Sequence, residues 1–314
     1  MYHTAVLLRE TVDALHISGN GIYVDCTAGG GGHSSAALEQ LEAGGLLIAI
    51  DRDPDALAEA GKKLENTHTA GTYKLVRSEF ADIDRVLAAL GIDGVDGIMA
   101  DLGVSSAQID RPERGFSFQN DGPLDMRMDP EAPITAADIV NNDSEESLRE
   151  IFHTYGEERY ARRIAAAIVA RRRERPFTRT ADLVDVIARN MPAKSRREQH
   201  PAKRCFQALR IAVNGELKQL EDFLDKVPDL LNDGGRLAVI TFHSLEDRMV
   251  KQIMRKWEDP CECPKNMPCV CHKKPLGKII HRKGIVATEE EQQNNPRSRS
   301  ARLRVFERNS ERRV

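Results

Sequence analysis

Short apolar runs alternate with amphipathic stretches through the first hundred residues. Apolar runs with the length of buried strands lie at 21–26, 46–51, 73–76 and 95–101. Helix-compatible segments follow them at 34–41, 54–64 and 84–90. This alternation predicts an α/β fold with a doubly wound parallel sheet, in which ligands bind at the carboxyl ends of the strands.

After residue 106 the alternation gives way to a segment in which we predict only helices. Residues 111–133 are rich in Gly, Pro and Asp, which is typical of a loop. Helix-compatible stretches follow at 145–155, 157–173 and 180–190. We therefore predict an all-helical subdomain at 108–204, inserted into the α/β domain.

The α/β pattern resumes beyond the insertion. Apolar positions recur at helical spacing from Arg204 to Leu231, which predicts one long helix, bent at Pro228. The remaining predicted elements are a strand at 236–242, a helix at 244–257 and an alternating, partly exposed strand at 301–306. The predicted α/β domain thus comprises residues 1–107 and 205–314.

Four consecutive glycines, Gly29 to Gly32, join the first strand to its helix. Such a turn lets a ligand approach the backbone, and the helix N-terminus presents unpaired N–H groups. Asp51 has the spacing of the acid that holds a ribose in dinucleotide-binding folds. Asp25 suits a cationic ligand group, and the glycines depart from the GxGxxG pattern of NAD sites. These features favour S-adenosylmethionine over NAD, and a purely structural turn is the alternative.

Motifs along nearly the whole chain resemble the RsmH (MraW) family, whose members methylate N4 of a cytidine in the decoding region of bacterial 16S ribosomal RNA. The matching stretches are 3–8 (HTAVLL), 31–34 (GGHS), 49–54 (AIDRDP), 101–106 (DLGVSS), 114–118 (RGFSF), 121–128 (DGPLDMRM), 155–158 (YGEE), 242–248 (FHSLEDR) and 295–300 (NPRSRS). The resemblance implies a Rossmann-like class I S-adenosylmethionine-dependent methyltransferase that acts on the small ribosomal subunit.

The resemblance also implies a set of cofactor contacts. They carry over to residues of the expected type at Gly31, Gly32, His33, Asp51, Phe80, Asp101 and Gln108. We expect Asp51 to hold the ribose and the glycine turn to hold the amino-acid end of the cofactor. Asp101 and Gln108 then border the site of methyl transfer.

Asp101 ends the fourth predicted strand, where it either accepts a hydrogen bond from the methylated amine or holds the cofactor. A cytosine N4 lone pair is delocalised into the ring, so this amine needs an acceptor and in-line positioning to react. Enzymes that methylate exocyclic amines on DNA have Pro-Pro and an aromatic residue after the equivalent position, whereas this chain has Leu102-Gly103. Phe116 or Phe118 is then the candidate for stacking on the base, with packing of the insertion as the alternative.

His243 follows the strand predicted at 236–242. It is a candidate proton relay at the substrate, and a structural role is the alternative.

Basic residues concentrate in the predicted insertion. Between Arg159 and Arg204 there are 14 Lys or Arg against 4 Asp or Glu, in a chain whose net charge is −3. A second basic cluster lies at 297–304. Segregated positive charge suits contact with RNA phosphates, and a solvated helix face is the alternative. We expect 16S rRNA within the small ribosomal subunit to be the partner.

Four of the six cysteines cluster late in the chain, at Cys261, Cys263, Cys269 and Cys271. Four thiols within 11 residues are able to bind Zn²⁺ tetrahedrally, although the CxC spacing is tighter than the usual CxxC. We leave the metal open at this point and expect Cys26 and Cys205 to be ordinary buried cysteines.

Composition narrows the class of protein further. No apolar run approaches the roughly 20 residues of a membrane span, and the N-terminal stretch has no secretory apolar region. The few cysteines indicate a reducing compartment, so we expect a cytoplasmic enzyme, either monomer or homodimer. Two alternative functions remain: an NAD-dependent oxidoreductase, and a non-enzymatic RNA-binding ribosome assembly factor.

Overall fold

The computed structural model describes residues 5–194, 200–264, 266 and 268–309. It divides into two compact units, one formed by Met1–Gly103 with Leu217–Val314 and the other by Val104–Glu216. Residues 3 and 4 of the first motif and residues 195–199 of the basic segment lie outside the described ones.

Within the described residues, eight strands of the first unit form one sheet. The strands are β1 Ile22–Asp25, β2 Leu46–Asp51, β3 Thr72–Arg77, β4 Val95–Asp101, β5 Leu231–Thr241, β6 Gly277–Ile279, β7 Ile285–Val286 and β8 Arg302–Arg308. Their order is β3-β2-β1-β4-β5-β8-β6, and β7 also pairs with β8. Strands β1 to β5 are parallel, whereas β8 is antiparallel to β5, β6 and β7. The predicted α/β fold is therefore confirmed.

The α-helices are α1 Leu8–Leu15, α2 Gly32–Leu38, α3 Pro54–Glu65, α4 Ile83–Ala89, α5 Ser106–Asp110, α6 Ala136–Asn142, α7 Glu145–Thr154, α8 Ala161–Arg172, α9 Thr180–Arg189, α10 Lys203–Asn214, α11 Glu216–Leu230, α12 Ser244–Glu258 and α13 Glu289–Asn294. Short 3₁₀ turns lie at Phe80–Asp82, Pro112–Arg114 and Pro296–Ser300. Within the described residues, no helix is long and apolar enough to cross a lipid bilayer.

The sheet is buried on both faces because its central strands are apolar at successive positions. Val24 and Ile48 pack in one cluster with residues of α4, α11 and α12, such as Phe223. Their neighbours Tyr23 and Leu47 pack in a second cluster with residues of α1, α2 and α3. Successive strand side chains point to opposite faces, so helices cover both sides, as the continuous apolar runs predict.

The second unit has its own helical core. Residues of α6 to α10 fill it, together with Phe116 and Leu124 from the preceding loop. Within the described residues of this unit, the only bridge of β type joins Pro123 to Arg179. The subdomain is thus helical, as the segment after residue 106 predicts.

The prediction of one long helix from 204 to 231 is wrong. Gly215 adopts a left-handed conformation, with φ of 60°, and its N–H caps α10 by donating to Ile211 O. Glycine adopts this conformation at little cost, so the chain ends one helix and starts the next. Phe206 and Leu209 of α10 are buried in the helical core, so this helix belongs to the second unit. The predicted boundary at 204/205 therefore moves to 216/217, and the one at 107/108 moves to 103/104.

Two strand predictions also need correction. Strand β8, predicted to be partly exposed, pairs on both sides, and its residues 303–306 are buried. Strand β5 begins at Leu231, and the register shifts between Val95 and Gly97 of β4, so the regular ladder starts only at Arg236. The exposure of β8 was overestimated because charged residues occupy alternate positions of this strand. One of them, Arg304, is buried and bound to Asp247.

Candidate active site

Three carboxylates end neighbouring strands of the sheet. Asp25 is the last residue of β1, Asp51 of β2 and Asp101 of β4. These strands are parallel, with β1 between the other two. Because the carboxyl ends of parallel strands meet at one edge, the three acids lie at the edge where α/β folds bind ligands. The glycine turn starts from the same edge, after β1.

Asp25 is engaged by the turn itself. Its carboxylate accepts hydrogen bonds from Thr27 N at 3.1 Å and from Ser34 Oγ at 2.5 Å, and the residue is 1% exposed. Burial raises its pKa to about 6, and these hydrogen bonds oppose the rise. Asp25 therefore fastens the start of α2 to β1. The expectation that it meets a cationic ligand group stays a prediction.

Asp51 both shapes the turn and remains available to a ligand. Its Oδ2 accepts a hydrogen bond from Gly29 N and its Oδ1 accepts one from Asp53 N, each at 2.9 Å. Burial raises the pKa of this carboxyl to about 6, and the two N–H groups oppose the rise. A carboxylate has about four acceptor positions, so two of them remain for the hydroxyl groups of a ligand.

The glycine turn leaves open space at one position and close backbone contact at another. A Cβ added at Gly30 would meet nothing within 4 Å, and this residue is exposed. At Gly31, with φ of +74°, a Cβ would lie 2.9 Å from Ala60 Cα. Gly31 is thus required for packing against α3, whereas Gly30 borders space that a ligand is able to occupy. At Gly32, an added Cβ would lie 2.8 Å from Ala5 Cβ, so this position is also closely packed.

The carboxylate oxygen Oδ1 of Asp101 is buried and has no hydrogen-bond partner among the described residues. The other oxygen, Oδ2, lies 3.7 Å from Nδ1 of the buried His33. Burial raises the pKa of Asp101 to about 6, His33 lowers it, and the charges of Asp25 and Glu246 raise it. An unsatisfied buried acceptor is costly unless a ligand meets it, so Oδ1 marks a position for a donor or a cation.

Thr27 and His33 hold Asp101 in relation to the turn. Thr27 Oγ1 accepts a hydrogen bond from Asp101 N at 2.6 Å. His33 Nε2 lies 3.0 Å from the carbonyl oxygen of Val6, so this nitrogen carries a proton and donates it. Thr27 is a contributor that sequence reasoning missed, although its place between β1 and the glycines was a signal.

Phe80 and His243 have defined packing roles in the first unit. The partly exposed Phe80 ring meets the buried Phe223 ring edge-on, with centroids 5.5 Å apart. His243 is the N-cap of α12, and its Nδ1 accepts from Glu246 N at 3.4 Å. The Glu246 carboxylate in turn accepts from His243 N, and it lies 3.0 Å from His243 Nε2. His243 is thus a capping residue, in agreement with its structural alternative.

Three other predicted site residues belong to the second unit. Gln108 is buried and forms a capping box with Ser105 at the start of α5. Phe116 is 8% exposed and lies in the helical core, which supports packing as its role. Phe118 is partly exposed, stacks on His200 with centroids 4.4 Å apart and meets Phe206 edge-on. Of the two phenylalanines, only Phe118 retains a surface for a base.

The first unit also contains an open, basic cleft of about 530 Å³ that sequence reasoning found only in part. Its lining residues are Asp247, Lys251, Arg255, Arg282, Lys283, Arg302 and Arg304. Arg304 binds Asp247 through two hydrogen bonds, of 2.7 and 2.9 Å. Among the described residues, the side chains of Lys251, Arg255 and Lys283 make no ion pair. The tail cluster at 297–304 was the sequence signal for this cleft, and helix α12 supplies the part that was missed.

Residues 1–309 match the model of the MraW methylase family. The chain belongs to this family. It is 53% identical over 306 residues to the ribosomal RNA small subunit methyltransferase H of Carboxydothermus hydrogenoformans, covering 97% of each chain. It is 50% identical over 304 residues to the protein of the same name from Clostridium botulinum, covering 96% of this chain and 97% of the other.

Solved structures show weaker similarity. An rRNA methylase from Streptococcus thermophilus aligns over 98% of this chain and 99% of its own, with 10% identity and a TM-score of 0.44. A methyltransferase of Streptococcus mutans, determined in complex with SAH, aligns over 98% and 99%, with 12% identity and a TM-score of 0.43.

Family membership confirms the predicted methyltransferase class and its cofactor, S-adenosylmethionine. The residues at the strand ends fit this cofactor. Asp51 keeps acceptor positions for ribose hydroxyls, and the space at Gly30 admits a ligand beside the turn. The unpartnered Oδ1 of Asp101 is a free acceptor at the same edge of the sheet. The NAD-dependent oxidoreductase alternative is thereby excluded.

Proposed function

We propose that the protein transfers a methyl group from S-adenosylmethionine to the exocyclic N4 amine of a cytidine in the decoding region of 16S rRNA, within the small ribosomal subunit. The relatives named as small-subunit rRNA methyltransferases support an rRNA substrate, and the family motifs support the cytidine. The observation that carries the proposed chemistry is the buried, unpartnered Oδ1 of Asp101 at the end of β4.

Asp51 and the glycine turn hold the cofactor in this proposal. The carboxylate of Asp51 accepts from the two ribose hydroxyls while it keeps its bonds to Gly29 N and Asp53 N. The turn from Gly29 to Gly32 would hold the amino-acid end. Phe80 and Gln108 are the further contacts that the family resemblance implies.

Bound S-adenosylmethionine supplies an electrophilic methyl group to the site. Asp101 Oδ1 accepts a hydrogen bond from the N4 amine, which draws the nitrogen toward a geometry with an available lone pair. In the transfer, the sulfur–methyl bond would break as the N4–methyl bond forms, which leaves S-adenosylhomocysteine, and Asp101 would accept the proton that the amine loses. Because the pKa of Asp101 is about 6, this carboxyl is mostly ionised at neutral pH and is able to act as the base.

Two basic surfaces support an RNA partner, one in each unit. In the first unit, the basic cleft presents Lys251, Arg255 and Lys283. In the second unit, Arg162 and Arg163 lie on the exposed side of α8, whose other side is buried in the core. Cations without acidic partners attract phosphates over a range set by ionic strength, so binding should weaken steeply with salt.

The proposal is tested with small subunits isolated from a strain that lacks this gene. The subunits are incubated with protein and cofactor, and the nucleosides of their rRNA are analysed by mass spectrometry. We expect N4-methylcytidine with the wild type and at least a hundredfold less with Asp101→Asn, since loss of a general base typically costs 10²- to 10⁴-fold. A methyl group on another nucleoside would refute the proposed acceptor.

The same assay decides the remaining alternative, a non-enzymatic assembly factor. Binding of the subunits measured by sedimentation, without any methyl transfer under conditions that saturate the cofactor, would support that alternative. Methyl transfer by the wild type, with sedimentation unchanged in Asp101→Asn, would support catalysis.

A further inference from the structure

The loop between α12 and β6 has little hydrophobic packing of its own. Among the described residues from 259 to 276, none is buried and none lies in a helix or strand. Val270 in this loop is 75% exposed. Structureless loops longer than about 12 to 15 residues are uncommon inside compact domains and usually carry a function or an additional tie. The four clustered cysteines lie in this loop.

The four thiols converge on one point. The sulfur atoms of Cys261, Cys263, Cys269 and Cys271 all lie within 4.8 Å of one another. The Sγ atoms of Cys261 and Cys269 are 3.6 Å apart, those of Cys269 and Cys271 3.6 Å, and those of Cys271 and Cys261 3.8 Å. A tetrahedral centre with Zn–S bonds of about 2.3 Å requires sulfurs about 3.8 Å apart. The sulfurs of Cys261, Cys269 and Cys271 meet this requirement despite the tight CxC spacing, and Cys263 Sγ lies within 4.8 Å of each of them.

A backbone N–H group also points at one of these sulfurs. Val270 N donates to Cys263 Sγ at 3.3 Å. A backbone donor stabilises the thiolate form of a cysteine and fixes the orientation of its sulfur. Hydrogen bonds of this kind are common around metal-binding cysteines.

We propose that Cys261, Cys263, Cys269 and Cys271 bind one Zn²⁺ as a closed, structural site. A set of four thiolates selects Zn²⁺ or iron, and Zn²⁺ adopts tetrahedral coordination without redox chemistry. Four protein ligands leave no open coordination position, so the ion fastens the loop and takes no part in methyl transfer. A disulfide is disfavoured because its sulfurs must approach to about 2.05 Å.

The exposed ion pair between Lys273 and Glu262, with Nζ and Oε2 2.7 Å apart, offers a matched control in the same loop. Replacing Glu262 by Gln removes this pair without changing a thiol. The comparison variant is the double substitution Cys269→Ser/Cys271→Ser, which removes half of the ligands. Both changes lie at surface positions of one loop, so neither disturbs the cores.

The test measures metal content by mass spectrometry in the full chain, reconstituted with Zn²⁺ under reducing conditions and then freed of unbound metal. We expect about one Zn²⁺ per chain in the wild type and in Glu262→Gln, and almost none in the double variant. Substitution with Co²⁺ should give the visible absorption of a tetrahedral thiolate site. Amide hydrogen exchange within 259–276 should accelerate in the double variant, with the central strands unchanged.

Three outcomes would overturn the proposal. One is a reduced wild-type chain that retains no zinc after reconstitution. Another is a double variant that retains as much zinc as the wild type. The third is iron in place of zinc in the wild type as isolated, with iron displacing zinc on competition. None of these readouts depends on methyltransferase activity.

Discussion

Replacing Gly30 by Ala tests whether the glycine turn holds the cofactor. The added methyl group meets no protein atom within 4 Å, and Gly30 does not have the positive φ of its neighbours Gly29 and Gly31. The folded state therefore tolerates this change, and the lower freedom of the unfolded chain stabilises the protein by about 0.4–1 kcal/mol. A general loss of stability is thus not expected to complicate the measurement.

The cost of Gly30→Ala should appear on binding. If the space beside Gly30 receives the cofactor, a methyl group there acts as overpacking, which typically costs roughly 1–3 kcal/mol. This cost corresponds to a Kd for S-adenosylmethionine raised about 5- to 150-fold. Gly31→Ala should behave differently, because its Cβ would lie 2.9 Å from Ala60 Cα in a left-handed conformation. That conformation alone costs roughly 1–2 kcal/mol of folding free energy.

Isothermal titration calorimetry and urea unfolding separate these two effects. Gly30→Ala should keep or raise the unfolding midpoint while it weakens cofactor binding, and Gly31→Ala should lower the midpoint. Wild-type cofactor affinity in a folded Gly30→Ala protein would refute the assignment of the cofactor to this side of the turn. Unfolding of Gly30→Ala would instead refute the description of the space as open.

Three further predictions follow from the site and its surroundings. The value of kcat/KM should fall about tenfold per pH unit below about pH 6. The reason is that burial raises the pKa of Asp101, whose carboxylate must be ionised to accept a proton. A flat profile of kcat/KM from roughly pH 5 to 7 would contradict this role. Lys251→Glu should raise the KM for small subunits and reduce the slope of log K against log salt by about 0.7–0.9 or more, measured by filter binding. Lys218→Glu, at an exposed position of α11, should change neither quantity. Phe116→Ala should lower the free energy of unfolding by roughly 3–5 kcal/mol, because Phe116 is buried in the helical core. The Phe118→Ala protein should unfold at a urea concentration closer to that of the wild type, and it should bind RNA less tightly.

The alternating part of the fold was predictable because it depends on local pattern. Strands β2 and β4 begin and end where their apolar runs do, since residues buried on both faces must all be apolar. Helix α3 begins at Pro54, as proline in a first turn predicts. These elements together bring Asp51 and Asp101 to the ligand edge, so the location of the site followed from the sequence.

Other features depend on contacts between distant residues, which no local pattern contains. Gly215 interrupts a continuous helical periodicity because α10 and α11 pack in different cores. The inward position of Arg304 in β8 depends on Asp247, 57 residues earlier in the chain. From sequence alone, an arginine in a strand therefore predicts an exposed position, because its buried partner is not known. The convergence of the four cysteines likewise depends on the folded loop, and the CxC spacing did not predict it.

The three strand-end acids show how far residue type alone determines a role. All three are aspartates at the same edge, and burial raises the pKa of each to about 6. The three carboxylates differ in their hydrogen bonds. Asp25 accepts on both oxygens from the turn and α2, and Asp51 accepts one backbone N–H on each oxygen. Of these three acids, only Asp101 keeps a carboxylate oxygen without any partner among the described residues. This difference among side chains of one type, at one edge of the sheet, is what supports Asp101 as the proposed base.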